Sequence, residues 1–405
     1  MFDAAPQPLT VTPPSDLPSW ADLGPFRDRT YLLRVARRGF PGWHRPIEAA
    51  EDRAFPCAAA VWNPPRPVAE TWAVPSLHVH GTVYCGYRDM ALFGANTLVG
   101  PAHDWVTESV MMGEQYLDEL VRPSYPHLFP GPKPALGRRA GLRTVDFAAL
   151  AEHEWRPIEE PVYLATPVEP DNFGRWISTI VPKVHLWRQH ARDRAFFCRA
   201  AHPWQRGLLN WLGVPTPRLI DHDPGATYLL RDVRTMRHTA SNQTISAAER
   251  EMFLELAQRT LTSSGGRRDE RIFVSRKTLS RQRNYRVLMN EASLADAMAA
   301  RGFRVIEPEQ YPIYEQVRLF AGARVIVGLG GAAMYSSVFA PPDARVMTIE
   351  ATDAFTRPHT RLLASLGVGY GVYYGTEDPY DPAPHHRRWS VDVADVLRAV
   401  DGFTG

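Results

Sequence analysis

The sequence predicts an α/β protein, and three observations carry that expectation. Residues 271–350 contain four short runs rich in Val and Ile: Arg271-Ile-Phe-Val, Phe303-Arg-Val-Ile, Ala323-Arg-Val-Ile-Val and Ala344-Arg-Val-Met-Thr-Ile. Each run ends at a polar, glycine or acidic residue, namely Ser275, Glu307, Gly328 or Glu350. Three stretches of helix-forming composition separate the runs. Apolar runs of this length between helical stretches are parallel strands buried on both faces, as in successive βαβ units. Ligands in such sheets sit beyond the carboxyl ends of the strands. Ser275-Arg276-Lys277, Glu307, the Gly328 to Gly331 turn and Glu350 are therefore candidate ligand positions.

The whole chain bounds the function. Its 405 residues are enough for two domains, each with its own core. Lys plus Arg outnumber Asp plus Glu by only 46 to 44, which leaves no global field for a nucleic acid or an acidic membrane surface. Cys57, Cys85 and Cys198 are scattered without metal-ligand spacing. That argues against a disulfide framework or a zinc site and for a reducing, cytoplasmic setting. The start, Met1-Phe-Asp-Ala, lacks the basic and apolar regions of a signal peptide. No apolar run approaches the ~20 residues that span a bilayer. A soluble protein is expected, with peripheral contact to a membrane assembly left open.

Prolines recur through residues 1–75, so this stretch reads as an irregular arm, with Trp20, Trp43 and Trp62 packed on the body. Residues 76–110 alternate and are β-branched or aromatic, as in antiparallel strands. His78 and His80 share a face there, but Cys85 falls on the other, and the pair reads as structural rather than metal-binding. A basic, Pro-rich connector spans residues 130–143. Pro161-Val-Tyr-Leu-Ala-Thr166 then opens another α/β unit. Pro170-Asp-Asn-Phe-Gly-Arg-Trp176 leads into a helix-length apolar run, with Asp171 or Asn172 as N-cap and Trp176 in the core.

Phe196-Phe197 reads as a strand, and Trp204 to Gly213 as a helix with a glycine stop. The triplet Asp221-His222-Asp223 has the form of a divalent-cation holder, yet Pro224-Gly225 follows at once and favours a tight turn between strands. Arg231, Arg234, Arg237 and His238 fall in an expected loop, where phosphate binding and a solvated basic surface are equal readings. Residues 247–260 are helical, and Ser263-Ser-Gly-Gly-Arg-Arg is the best linker. Helices are also expected at 355–366 and 392–400, with a strand or loop between them. The domains are thus 1–75, 76–265, 266–375 and 376–405, the last containing a helix that crosses back to the first domain in some two-domain folds.

An ordered series of residues then narrows the reading: Ser275-Arg276-Lys277, Asn290-Glu291, Gly302-Phe303, Glu315-Gln316, and Val327-Gly328 through Phe339-Ala-Pro-Pro-Asp-Ala344. In order and spacing it resembles the catalytic domain of glycosyltransferase family 61, over roughly residues 160–375. That family includes capsule and exopolysaccharide enzymes and xylosyl- and N-acetylglucosaminyltransferases. The resemblance implies a GT-B-like fold of two Rossmann-like domains facing a cleft, here with a Pro-rich and β-rich N-terminal extension. It also implies a nucleotide-sugar donor, a polysaccharide or glycan acceptor, and no further cofactor. Asn172-Phe-Gly-Arg-Trp176 resembles the family's Asn-aromatic-aromatic-His-Trp motif with Arg175 in the histidine position. Gly328-Leu-Gly-Gly-Ala332 stands where relatives read Gly-Pro-His-Gly-Ala, so a second histidine is replaced by Gly330.

Sugar transfer without a metal needs cationic and N–H donors for the leaving diphosphate and a base for the acceptor hydroxyl. Arg276, Lys277, Gly328, Gly330 and Gly331 are the expected diphosphate cradle, Glu350 the acceptor for donor hydroxyls, and Asn172 a further donor contact. With both histidines replaced, Asp171 is the candidate base, Glu169 being the other nearby carboxylate. Arg175, permanently charged, is the candidate for reaching across the cleft to the phosphates. Asn290 and Glu291 are expected to cap a helix, Gln316 to fix a loop, and Arg281, Arg283 and Arg286 either to close over phosphate or to form a solvated face. Two rivals stay open. Gly328, Gly330, Ala333 and Glu350 also fit a dinucleotide fingerprint of an NAD-dependent oxidoreductase, although that unit normally opens its domain. The two replaced histidines equally suit a nucleotide-sugar or glycan-binding pseudoenzyme.

Overall fold

The computed structural model describes residues 30–35, 43–54, 60–64, 76–93, 97–99, 104–106, 142–146, 155–167, 169–238, 244–265, 270–279, 286–352, 356–382 and 387–405. The chain divides into two compact units, one of residues 1–50 and 80–241, the other of residues 51–79 and 242–405. Both are mixed α/β.

In the second unit the four apolar runs are strands, Glu270–Val274, Arg304–Ile306, Ala323–Leu329 and Arg345–Glu350. A fifth, Gly369–Tyr374, follows. Every pairing among them is parallel. Across the sheet they lie in the order second, first, third, fourth, fifth, and Ala60–Trp62 joins beyond the fifth. Ile272, Ile326, Val327 and Val346 have no exposed surface, because helices cover both faces of a parallel sheet. One face packs Phe273, Val327, Met347 and Ile349 with Trp389, Val396 and Val400.

The first unit holds a parallel group in the order Leu219–Asp221, Ala195–Cys198, Val162–Leu164, Thr227–His238. Thr227–His238 then runs antiparallel to Thr82–Phe93, which continues antiparallel into Thr97–Val99 and Asp104–Val106. The expected helix after Pro170 begins as a turn at Phe173–Arg175, passes through a π-helical turn at Trp176–Ile180 and continues as Val181–His190. Pro182 lacks the N–H that an α-helical ladder needs there, and the Val181 N–H bonds back to the Trp176 carbonyl.

Several expectations are corrected. The arm of residues 1–75 supplies strands to both units: Thr30–Val35 and Trp43–Glu48 join the first sheet, Glu51–Ala54 pairs with Ser76–Val79, and Ala60–Trp62 joins the second. Edge pairing of this kind is tolerant of nearby proline. Arg231, Arg234, Arg237 and His238 lie on a strand rather than in a loop. Arg231 pairs with Asp89 and Glu159, and Arg234 with Asp232. His78 bonds Asp52 at 2.9 Å, whereas His80, past the strand end, stacks on His238 at 3.8 Å.

The helix before the expected linker, Ala247–Ser264, belongs to the second unit, so the units part at 241/242 instead of 265/266. Its Arg250 guanidinium donates to the carbonyls of Val338 and Ala340, and Phe253 meets Phe339 edge-on at 5.3 Å. The last helix, Val393–Thr404, lies on its own unit's sheet, where Asp395 accepts from the Tyr373 hydroxyl at 2.9 Å. The 130–143 connector up to residue 141, Trp20, Cys57, Arg281 and Arg283 lie outside the described residues. Among those described, no helix is long and apolar enough to cross a membrane.

Trp62 shows what the added strand contributes. Its ring meets Phe403 edge-on at 5.9 Å, and a side chain on Gly371 would press on Trp62 Cζ3 at 2.8 Å. Trp62→Ala is expected to destabilise the second unit by about 2–4 kcal/mol, the scale of removing a packed aromatic. A lower denaturation midpoint at unchanged denaturant dependence checks this; an unaltered midpoint would show the strand to be incidental.

Candidate functional site

The second unit's strand order places its topological switch point between Glu270–Val274 and Ala323–Leu329, where open α/β sheets bind ligands. The residues that follow these two strands meet there. Arg276 donates from Nη1 to the Gly330 carbonyl at 2.7 Å. A side chain on Gly331 would come within 3.0 Å of the Arg276 guanidinium, so the glycine gives the arginine room to lie against this turn.

The carboxylates nearby tie down the loop that carries Arg276. Buried Glu291 accepts from the Ser275 hydroxyl at 2.6 Å and from the Arg276 N–H at 2.8 Å. Glu307 accepts from the Thr278 N–H at 2.9 Å. Partial burial, with Glu307 and Glu291 close by, pushes the Glu309 carboxyl up, while Arg276 pulls it the other way. Lys277 is exposed beside Arg276. Asn290 does not cap the helix Glu291–Ala300; its side chain instead bonds the backbone of Val391 in both directions. Gln316 donates to the Tyr311 carbonyl at 2.9 Å and fixes that loop as expected.

The glycines of the turn differ in role. A side chain on Gly328 would collide with Met334 and Val274, so this glycine serves the packing of strand against the following segment. That segment, Ala332–Phe339, is a 3-10 helix where an α-helix was expected. The Met334 N–H bonds the Gly331 carbonyl at 3.1 Å, while the N–H of Ala332 has no acceptor among the described residues. A side chain on Gly330 would strike the Glu350 carboxylate.

Glu350 departs from expectation. Its side chain is 1% exposed, and Oε1 lies 2.8 Å from Nδ1 of His359, itself buried. His359 Nε2 is 3.1 Å from the Gly331 carbonyl. The carboxylate expected at donor hydroxyls is thus engaged inside the protein, and the dinucleotide reading loses its ribose acid.

In the first unit, Asp171 is exposed at the carboxyl edge of the parallel group. Its Oδ1 accepts from Arg199 Nε at 2.9 Å and lies 3.3 Å from His202 Nε2. Asn172 caps the helical turn, accepting from the Arg175 N–H at 3.3 Å, and donates to Glu169 at 3.5 Å. Its amide is structural where a donor contact was expected. Arg175 is 9% exposed, with Nε on Glu169 at 2.8 Å. Trp176 is fully buried and donates to the Pro170 carbonyl at 2.6 Å.

The Asp221 carboxylate accepts from the Ala200 N–H and from Arg206, and Asp223 from the Gly225 N–H, in line with a turn. Sequence reasoning did not find Arg199, His202 or His359. The first two follow the end of the strand Ala195–Cys198, so the same strand-end rule points to them. For His359, only its place on the helix after Glu350 offers a signal.

Gly330→Ala is expected to cost about 1–3 kcal/mol, because the added methyl must displace a buried carboxylate. Combining it with Glu350→Asp, which shortens that carboxylate, should cost less than the sum of the two single changes. Additive losses in denaturant titrations would break the coupling.

Residues 170–347 match the model of a family described as glycosyltransferase 61. No curated protein matches the chain. The matched segment begins at the loop carrying Asp171 and takes in Arg276 and the turn at Gly330 and Gly331, so residues 170–347 form a segment of the glycosyltransferase 61 kind.

Proposed function

We propose that this chain is an inverting, metal-independent glycosyltransferase of the GT-B class. It moves a sugar from a nucleotide-sugar donor to a polysaccharide or glycan acceptor of the capsule or exopolysaccharide kind. The observation that carries the donor side is Arg276 at the switch point, bonded to the Gly330 carbonyl beside an Ala332 N–H without an acceptor among the described residues. An anion satisfies such an N–H, and a guanidinium is suited to phosphate oxygens. Arg276, Lys277 and the turn from Gly330 to Ala332 hold the diphosphate, while Gly328 and Glu350 shape the turn.

Asp171 is the proposed base. As the acceptor oxygen bonds to the anomeric carbon, the bond from that carbon to the diphosphate oxygen breaks, and the electron pair leaves with the diphosphate. The acceptor proton passes to Asp171, and a single displacement inverts the centre. Arg199 and His202 hold one oxygen of Asp171, while Asn172 and the Arg175–Glu169 pair shape the loop that carries it. The engaged Asp221 and Asp223 support a reaction without a metal, and the buried free thiols of Cys85 and Cys198 support a cytoplasmic setting.

Calorimetric titration with UDP, GDP and CMP, with and without EDTA, tests the donor side. Affinity should survive chelation, and Arg276→Ala should weaken it by about 1.5–3 kcal/mol, the scale of a charge-assisted hydrogen bond. Binding that needs Mg²⁺ or Mn²⁺ and disappears in Asp223→Asn would overturn the metal-free step. Asp171→Asn should leave nucleotide affinity in place and abolish sugar transfer or slow donor hydrolysis. Full turnover in that variant would remove Asp171 as base, and donor binding without turnover in the wild type would leave a binding protein.

A further inference from the structure

His359 touches none of the residues proposed to meet the donor except through the backbone of the turn, yet it is buried at their rear. Its Nε2 faces the Gly331 carbonyl at 3.1 Å, and its Nδ1 faces Glu350 Oε1 at 2.8 Å. Each ring nitrogen thus faces an oxygen that can accept a hydrogen bond. Tyr335 closes the edge of the ring at 5.7 Å. Glu350 fixes the ring from below and also occupies the space that a side chain on Gly330 would need.

The peptide that joins Gly331 to Ala332 is planar and trans, so its carbonyl and N–H point in opposite directions. Holding the Gly331 carbonyl against a buried imidazole directs the Ala332 N–H away from the interior. Arg276 does the same for the preceding peptide through the Gly330 carbonyl. Two successive peptide planes are thereby fixed before any ligand arrives.

We propose that His359, held by Glu350, is a positioning residue that orients the Gly331–Ala332 peptide so that its N–H serves the donor diphosphate. The inference rests on the donor reading for the diphosphate, but the hold on the turn is a property of the free protein. It assigns His359 a function in phosphate recognition without contact to the ligand, and it makes Glu350 a partner of that histidine instead of a ligand residue.

The test uses the full chain and His359→Ala, with folding checked by circular dichroism. Hydrogen exchange followed by mass spectrometry should show faster exchange in the ligand-free variant across residues 330–336, where the Met334 N–H bonds the Gly331 carbonyl. Affinity for UDP or GDP should fall about tenfold, the worth of one buried hydrogen bond, while affinity for uridine or guanosine stays unchanged. A merely structural role would weaken nucleoside and nucleoside diphosphate alike. Unchanged exchange in a folded variant, or an equal loss for nucleoside and diphosphate, overturns the proposal. Should His359→Ala not fold, Glu350→Gln reads the same hold, with faster exchange at 330–336 expected and wild-type exchange against it. A wild type that binds no nucleoside diphosphate, alongside faster exchange in the variant, sinks the donor reading while the hold on the turn stands.

Discussion

Two neighbouring carbonyls, those of Gly330 and Gly331, are each bound by a basic side chain from a different segment of the second unit, and the geometry of the turn depends on that pair of contacts. Main chain at a tight turn has several conformations of similar energy, and side-chain hydrogen bonds select among them. Here the selection comes from outside the turn. Arg276 arrives after the first strand of the sheet and His359 from the helix after the fourth, so the turn is correct only when the whole parallel sheet is assembled. Site and fold are in this sense one structure.

The replaced histidines take on a different meaning in that setting. At Gly330 the space is filled by the Glu350 carboxylate, and a buried imidazole is present after all, supplied by His359 one element further along the chain. At Arg175 the guanidinium is drawn to Glu169, within the loop that presents Asp171. Arg175 faces the carboxylate of Glu169, and His359 that of Glu350. Buried or half-buried ions without such partners are costly.

The second sheet was legible in the sequence because its strands are buried on both faces and end abruptly at Ser275, Glu307, Gly328 and Glu350. Those features are local, and the strand-end rule led from them to Arg276. The role of Glu350 was not legible, since an acid at a strand end looks the same whether it faces solvent or a histidine on the next helix. The strands inside the Pro-rich arm were missed for a similar reason. Ala60–Trp62 is three residues long and owes its conformation to the strand beside it. The segment holding Arg231 to His238 reads as a loop in the sequence, whereas it is a strand along which Arg231 and Arg234 are paired with carboxylates.

That short strand has a consequence for how the chain is made. Asn63, just after it, donates to the Tyr374 carbonyl, a partner 311 positions away. The second unit is therefore discontinuous, with the first unit's main body inserted between its two pieces. During synthesis, residues 51–79 emerge early and have no sheet to join until nearly the whole polypeptide has left the ribosome. Closing so long a loop adds little to the equilibrium cost, which grows only with the logarithm of length, but non-local pairing slows folding. A fragment starting at residue 242 would leave the edge of Gly369–Tyr374 uncovered, and an open edge invites pairing with another chain.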